Sequence, residues 1–268
     1  MLGPHTSLSI AQIVFYVPIV VLAIWLMARN WSKHPRMAWW PMVPLSLIRL
    51  AGGPIVIALG NQPSNIGLIV AAIVLLNVGT IPLLVSMSGF FRIILMDNYP
   101  PSKRIDMAAR MLRIAILIAT GLLIGGGSII SQDSKSTRDT GRILQIVGYA
   151  VFAALICFFF GAQVRFFRMR HSFIPTSRKV NLAALAATPF LALRCAYGIL
   201  QVTFEFNAAT LWNPVYGSAV AFAFMGLVAE YIVVLIVLYT GFSMPPDRGT
   251  TSQGAPVLNK ADSPGQSV

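Results

Sequence analysis

The chain alternates between long runs dominated by Leu, Ile, Val, Ala, Phe and Met and short connections that hold nearly all of its charge. Seven runs approach the roughly 20 residues that an α-helix needs to cross a hydrocarbon core about 30 Å thick. They predict spans over 8–28, 39–60, 66–88, 109–130, 143–164, 189–206 and 217–240, the third continuing as an interfacial helix through FFRIILM at 90–96. The stretch SQDSKSTRDTGR at 131–142 reads as a loop of mixed charge between the fourth and fifth spans. An all-α polytopic membrane bundle of seven transmembrane helices follows, occupying residues 1–242, with a tail at 243–268 whose Pro, Gly, Ser and Thr predict disorder.

Polar positions inside the runs then become the informative ones. In PFLALRCAYGILQVTFEF at 189–206, Arg194, Tyr197, Gln201 and Glu205 recur at steps of three, four and four, which puts all four on one helical face. An Arg near the bilayer centre costs at least about 2.5 to 3.5 kcal/mol on insertion scales, so such a stripe faces protein or a wet cavity rather than lipid. Only two other strongly ionisable residues lie deep in apolar runs, Arg49 in the second span and Glu230 in the seventh. Counted along their helices at about 1.5 Å per residue, Arg49, Arg194 and Glu230 reach similar depth, which predicts that they meet. Asn77 in the third span reads as an interhelical hydrogen bond or a ligand contact, and Gly52-Gly53-Pro54 as a kink or a packing notch.

Composition agrees with the pattern: 56% of residues are hydrophobic and only 10% charged, with a mean hydropathy of +0.75. The net charge of +12 changes the picture only through its distribution. Lys135, Arg138 and Arg142 fall on one side of the predicted bundle and Arg49 and Arg194 within spans. The remaining Lys and Arg follow spans one, three and five or lie in the tail. The positive-inside rule therefore predicts an outer N-terminus and a cytosolic C-terminus, in the endoplasmic reticulum or plasma membrane. Basic residues at span ends meet anionic lipid headgroups, so membrane lipids, and not nucleic acid, are the expected partners of this charge. Trp31, Trp39 and Trp40 suit the headgroup zone at the first turn.

Several membrane chemistries need residue types that the predicted spans lack. His5, His34 and His171 all fall outside them, which removes His-box di-iron centres and hydrolytic triads, and no Lys lies within a span to form a retinal Schiff base. No pair of acids has the spacing of a magnesium–diphosphate motif, so neither a metal nor another cofactor is expected. Cys157 and Cys195 read as small packing residues within helices.

What is left is an Arg–Glu–Arg group with Tyr197, Gln201 and aromatics. It reads either as a buried polar clamp that fixes helix register or as a site for an anionic or oxygen-rich ligand, because one Glu leaves one guanidinium unneutralised. Glu205, between Phe204 and Phe206 with no basic neighbour in sequence, is expected to stay protonated. A protonated carboxyl beside aromatic faces supplies what acid-initiated isoprenoid cyclisation requires, a proton donor and π-surfaces for the cation.

The seven-span layout over roughly residues 8 to 242 resembles an uncharacterised family of fungal seven-helix integral membrane proteins. The likeness rests on the Arg194-to-Tyr197 pair, the Asn213-Pro214 turn and AEYIVVLIVLYTGF with Glu230. In size and span number the chain is also similar to the membrane-bound terpene cyclases of fungal meroterpenoid pathways, and to fungal lipid-translocating exporters. The cyclase likeness implies catalysis by intramembrane acids, Glu205 or Glu230, on a prenylated, epoxidised lipophilic precursor, with Arg49, Arg194, Tyr197, Gln201 and Asn77 around the substrate. The alternative is a receptor or exporter that binds an anionic amphiphile through Arg49 and Arg194.

Overall fold

In a membrane the only satisfactory way to pair every backbone amide of so apolar a chain is within helices, and the described residues form helices and no strand. The computed structural model describes residues 4–31, 36–62, 65–100, 102–130, 134–204, 211–213 and 217–244. The helices are α1 (Pro4–Arg29), α2 (Met42–Asn61), α3 (Ile66–Val78), α4 (Thr80–Asn98), α5 (Lys103–Ile130), α6 (Lys135–Arg168), α7 (Pro175–Thr203), the single turn α8 (Ala219–Ala221) and α9 (Ala229–Ser243). Between α8 and α9, Phe222–Val228 runs as a π-helix, so α8, this segment and α9 form one continuous span. Counted in that way, seven helical segments among the described residues are long and apolar enough to cross a membrane.

Contacts at the helix ends fix the up-and-down order. Arg29, closing α1, donates to the carbonyls of Phe242 and Met244 at the close of α9, both at 3.1 Å. At the same end the Ile174 N–H, just before α7, donates to Asn98 Oδ1 in the last turn of α4 at 3.0 Å. At the opposite end His5 Nε2 lies 3.1 Å from the Gly217 carbonyl, and Arg142 in α6 donates to the carbonyl of Thr203, which ends α7. The first of these ends gathers Arg29, Arg36, Lys103, Arg168, Arg170, Arg178 and Lys179 and is called the basic end below.

Several helix bounds differ from the sequence expectation for physical reasons. The stretch expected as a loop at 131–142 is helical from Lys135 onward, because α6 extends past its apolar run. Lys135 and Asp139 stand one turn apart there, and Arg142 reaches the end of α7. The third span does not stop at 88 and resume at the interface. It breaks at Gly79 into α3 and α4 and continues to Asn98, with Phe90, Ile93 and Ile94 in the core. Trp39 is not an interfacial anchor, since it is buried edge-on against Phe90 with ring centroids 5.5 Å apart, while Trp31 and Trp40 are exposed. Cys195 is buried as expected, but Cys157 is exposed.

Gly53 turns out to be a packing notch. A Cβ there would lie 2.5 Å from the Ile13 side chain, so α1 crosses α2 closely at this point. The crossing lets the Gln12 amide donate to the Arg49 carbonyl at 2.7 Å, next to the carbonyl of Leu50 that Pro54 leaves without a helical donor. α7 is central, packing on α4, α6, α9 and the π-helix. The tail from 245 lies outside the described residues.

Candidate functional site

Four spans deliver one buried cluster at mid-depth. α2 supplies Arg49, α7 supplies Arg194, α9 supplies Glu230 from its first turn, and α1 supplies Tyr16, and all four are at most 3% exposed. Both carboxylate oxygens of Glu230 are occupied. Oε1 accepts from the Tyr16 hydroxyl at 2.8 Å and from Arg49 Nε at 2.5 Å; Oε2 accepts from Arg49 Nη2 and, at 3.4 Å, from Arg194 Nε. The Arg49–Glu230 contact is therefore a two-toothed fork, the geometry in which a guanidinium and a carboxylate bind most strongly. Arg194 also hydrogen-bonds the side chain of Tyr149 from α6. Arg49 Nη1 donates to the Leu75 carbonyl of α3 at 3.3 Å.

Backbone irregularities make room for these charges. At Gly79, between α3 and α4, a Cβ would lie within 2.6 Å of Glu230 Oε2 and overlap the Arg49 guanidinium. The break in the third span is thus where Arg49 comes against the chain and takes a carbonyl from its last turn. At Gly198 a Cβ would overlap the Tyr149 ring, which presses against α7 one turn beyond Arg194. The π-helix ends two residues before Glu230, and such insertions commonly occur at functional sites.

The proximity expected of Arg49, Arg194 and Glu230 is observed. Tyr197 and Gln201 share the buried face of α7 with Arg194, running away from the basic end. The Tyr197 hydroxyl and Gln201 Nε2 are buried with no hydrogen-bond partner among the described residues. Tyr197 packs on Phe222 of the π-helix with ring centroids 6.1 Å apart, and Leu8, Trp212 and Met225 complete this apolar surround. α7 ends at Thr203 with Phe204 as its cap, and Glu205 lies outside the described residues. Asn77 is in the last turn of α3, and its side chain also lies outside what is described.

Sequence reasoning missed Tyr16, Tyr149 and Gly79. A tyrosine inside an apolar run counts as one more aromatic, and only its position near the middle of a span, where water cannot serve its hydroxyl, marks it as a partner for a buried ion. Tyr16 and Tyr149 both sit near the midpoints of α1 and α6.

Seven apolar spans closed around a fully buried Arg–Glu–Arg cluster define a polytopic membrane protein whose polar centre is enclosed by protein. The chain belongs to the family described as "Domain of unknown function (DUF7702)", whose model matches residues 2–247. No curated protein and no solved structure matches it.

Proposed function

We propose that the protein binds an anionic amphiphile, as a receptor or exporter does, in the half of the bundle away from the basic end, with polar contacts along the Arg194–Tyr197–Gln201 face. The observation that carries this reading is the pair of buried, unpartnered donors, Tyr197 Oη and Gln201 Nε2, leading outward from the charge cluster. A buried donor without an acceptor costs about 1–3 kcal/mol, and a ligand oxygen relieves that cost. Two buried guanidiniums at the inner end of this face also favour an anion. The aromatic and apolar surround from Phe222, Trp212 and Met225 suits a hydrocarbon portion.

The test is thermal unfolding of the full chain in a neutral detergent with dodecyl phosphate or dodecanoate, against dodecanol. At a concentration of about 100 times Kd, selective binding adds about 2.7 kcal/mol, an increase in Tm on the order of 5 to 10 °C. Tyr197→Phe and Gln201→Leu should lose most of that increase. Equal shifts with dodecanol, or full shifts in both variants, overturn the proposal.

A second reading is enzymatic: a membrane cyclase of a prenylated, epoxidised precursor in fungal terpenoid or meroterpenoid secondary metabolism. Here the engagement of both Glu230 oxygens by Tyr16 and the two arginines bears directly on the choice of acid, because a carboxylate so held is ionised and cannot donate a proton. The role then falls to Glu205. Product formation from prenylated epoxides in membranes should fall on the order of 10²-fold in Glu205→Gln. No product from the parent chain, or full activity in that variant, removes this reading.

A further inference from the structure

Away from the charge cluster, α7 and α9 part near the basic end and leave a groove of about 680 Å3. Its lining is graded along the bundle axis. Thr176, Lys179 and Ser243 stand at the basic end, and Leu182, Ala186 and Ile236 line the groove deeper toward the middle of the membrane. Because α7 and α9 run antiparallel, both walls change from polar to apolar in the same direction. From Lys179 to Ala186 the wall descends about 10 Å at 1.5 Å per residue. The small side chains of Ala183 and Ala186 create the depth, and the outer rim carries Leu182 and Tyr239, exposed by 59% and 76%.

A slot with a cationic mouth at headgroup level and an apolar floor has the gradient of a lipid. Lys179 has no acid paired with it among the described residues, whereas Arg178 beside it is committed to the carbonyls of Phe173 and His171, both at 2.9 Å. A second depression of about 490 Å3, which shares Leu182 with the groove, adds Arg170 and His171 to the same end. The volume of the groove lies within the roughly 300–1,000 Å3 of small-molecule sites.

We infer that the groove between α7 and α9 holds a membrane lipid with an anionic headgroup, its phosphate against Lys179 and Thr176 and an acyl chain against Ala183, Ala186 and Ile236. This site is separate from the one at Tyr197 and Gln201 and stands or falls independently of it.

Native mass spectrometry of the full chain, released from neutral detergent with equimolar phosphatidylglycerol and phosphatidylcholine of matched chains, reads the preference directly. One basic side chain at a membrane surface gives roughly a fivefold preference for the anionic lipid, and Lys179→Glu should abolish it. Ala186→Trp, at an exposed position that leaves the core untouched, should remove bound lipid of both kinds by filling the groove. Gln201→Leu should leave the lipid preference intact. Equal retention of the two lipids, an unchanged preference in Lys179→Glu, or retention that appears only after deletion of residues 248–268 would overturn the proposal, the last by assigning the groove to the chain's own tail.

Discussion

Replacing Glu230 by Gln tests the centre of the bundle, because it keeps the shape of the side chain and removes only its charge. In the parent protein one carboxylate faces two guanidiniums, so the buried cluster carries a single excess positive charge. Without it, Arg49 and Arg194, at 3% and 1% exposure, lose the carboxylate they share, and the fork to Arg49 loses its ionic partner. Breaking a buried pair from one side costs about 3–5 kcal/mol. For a chain of this size that lowers Tm on the order of 10 °C. The assay is thermal unfolding followed by size-exclusion chromatography at matched expression. A double replacement, Arg49→Met with Glu230→Met, returns the cluster to one excess positive charge and should be clearly more stable than Glu230→Gln, by at least about 1 kcal/mol of coupling. A Glu230→Gln protein that unfolds within a degree of the parent, or a double variant no better than the single, would refute the electrostatic account and leave only shape-filling.

The remaining expectations are simpler. Gly79→Ala places a methyl group between Arg49 and Glu230 and should cost about 1–3 kcal/mol, whereas Gly125→Ala, with nothing within 4 Å, should be neutral in the same unfolding measurement. Trp39→Ala should lose about 3–5 kcal/mol and Trp40→Ala far less, since only the first is buried. Asn30-Trp31-Ser32 fits a glycosylation acceptor pattern, yet Asn30 lies at the basic end, which the positive-inside rule assigns to the cytosol. Mass spectrometry should find Asn30 unmodified, and a glycan there would invert the topology.

How much was legible in the sequence followed from how conspicuous each residue is in an apolar context. Arg49, Arg194 and Glu230 announce themselves because an ionised group inside a membrane span must be explained, and their mutual contact follows from the cost of leaving any of them alone. Tyr16 and Tyr149 carry the same cluster but are silent, since their rings satisfy the apolar pattern while their hydroxyls do the bonding. Helix ends were misread where two signals conflict. The charge of Lys135 to Arg142 ends a membrane-crossing run but does not end a helix. The break at Gly79 leaves the hydropathy unchanged because the residues on either side are equally apolar. α7 ends at Thr203, and Glu205, at the next step of four along the sequence, lies outside the described residues.

The pairing of Arg49 with Glu230 spans 181 residues and joins the second span to the last. Synthesis proceeds from the N-terminus, so Arg49 and then Arg194 enter the bilayer before their shared counter-ion has been made. Each faces an insertion penalty of roughly 2.5–3.5 kcal/mol with no carboxylate to offset it. The seventh span brings the one carboxylate that both arginines share, so the Arg49–Glu230 fork closes only once the last helix is in place. A chain interrupted before residue 230 would hold both guanidiniums in the membrane without the carboxylate they share.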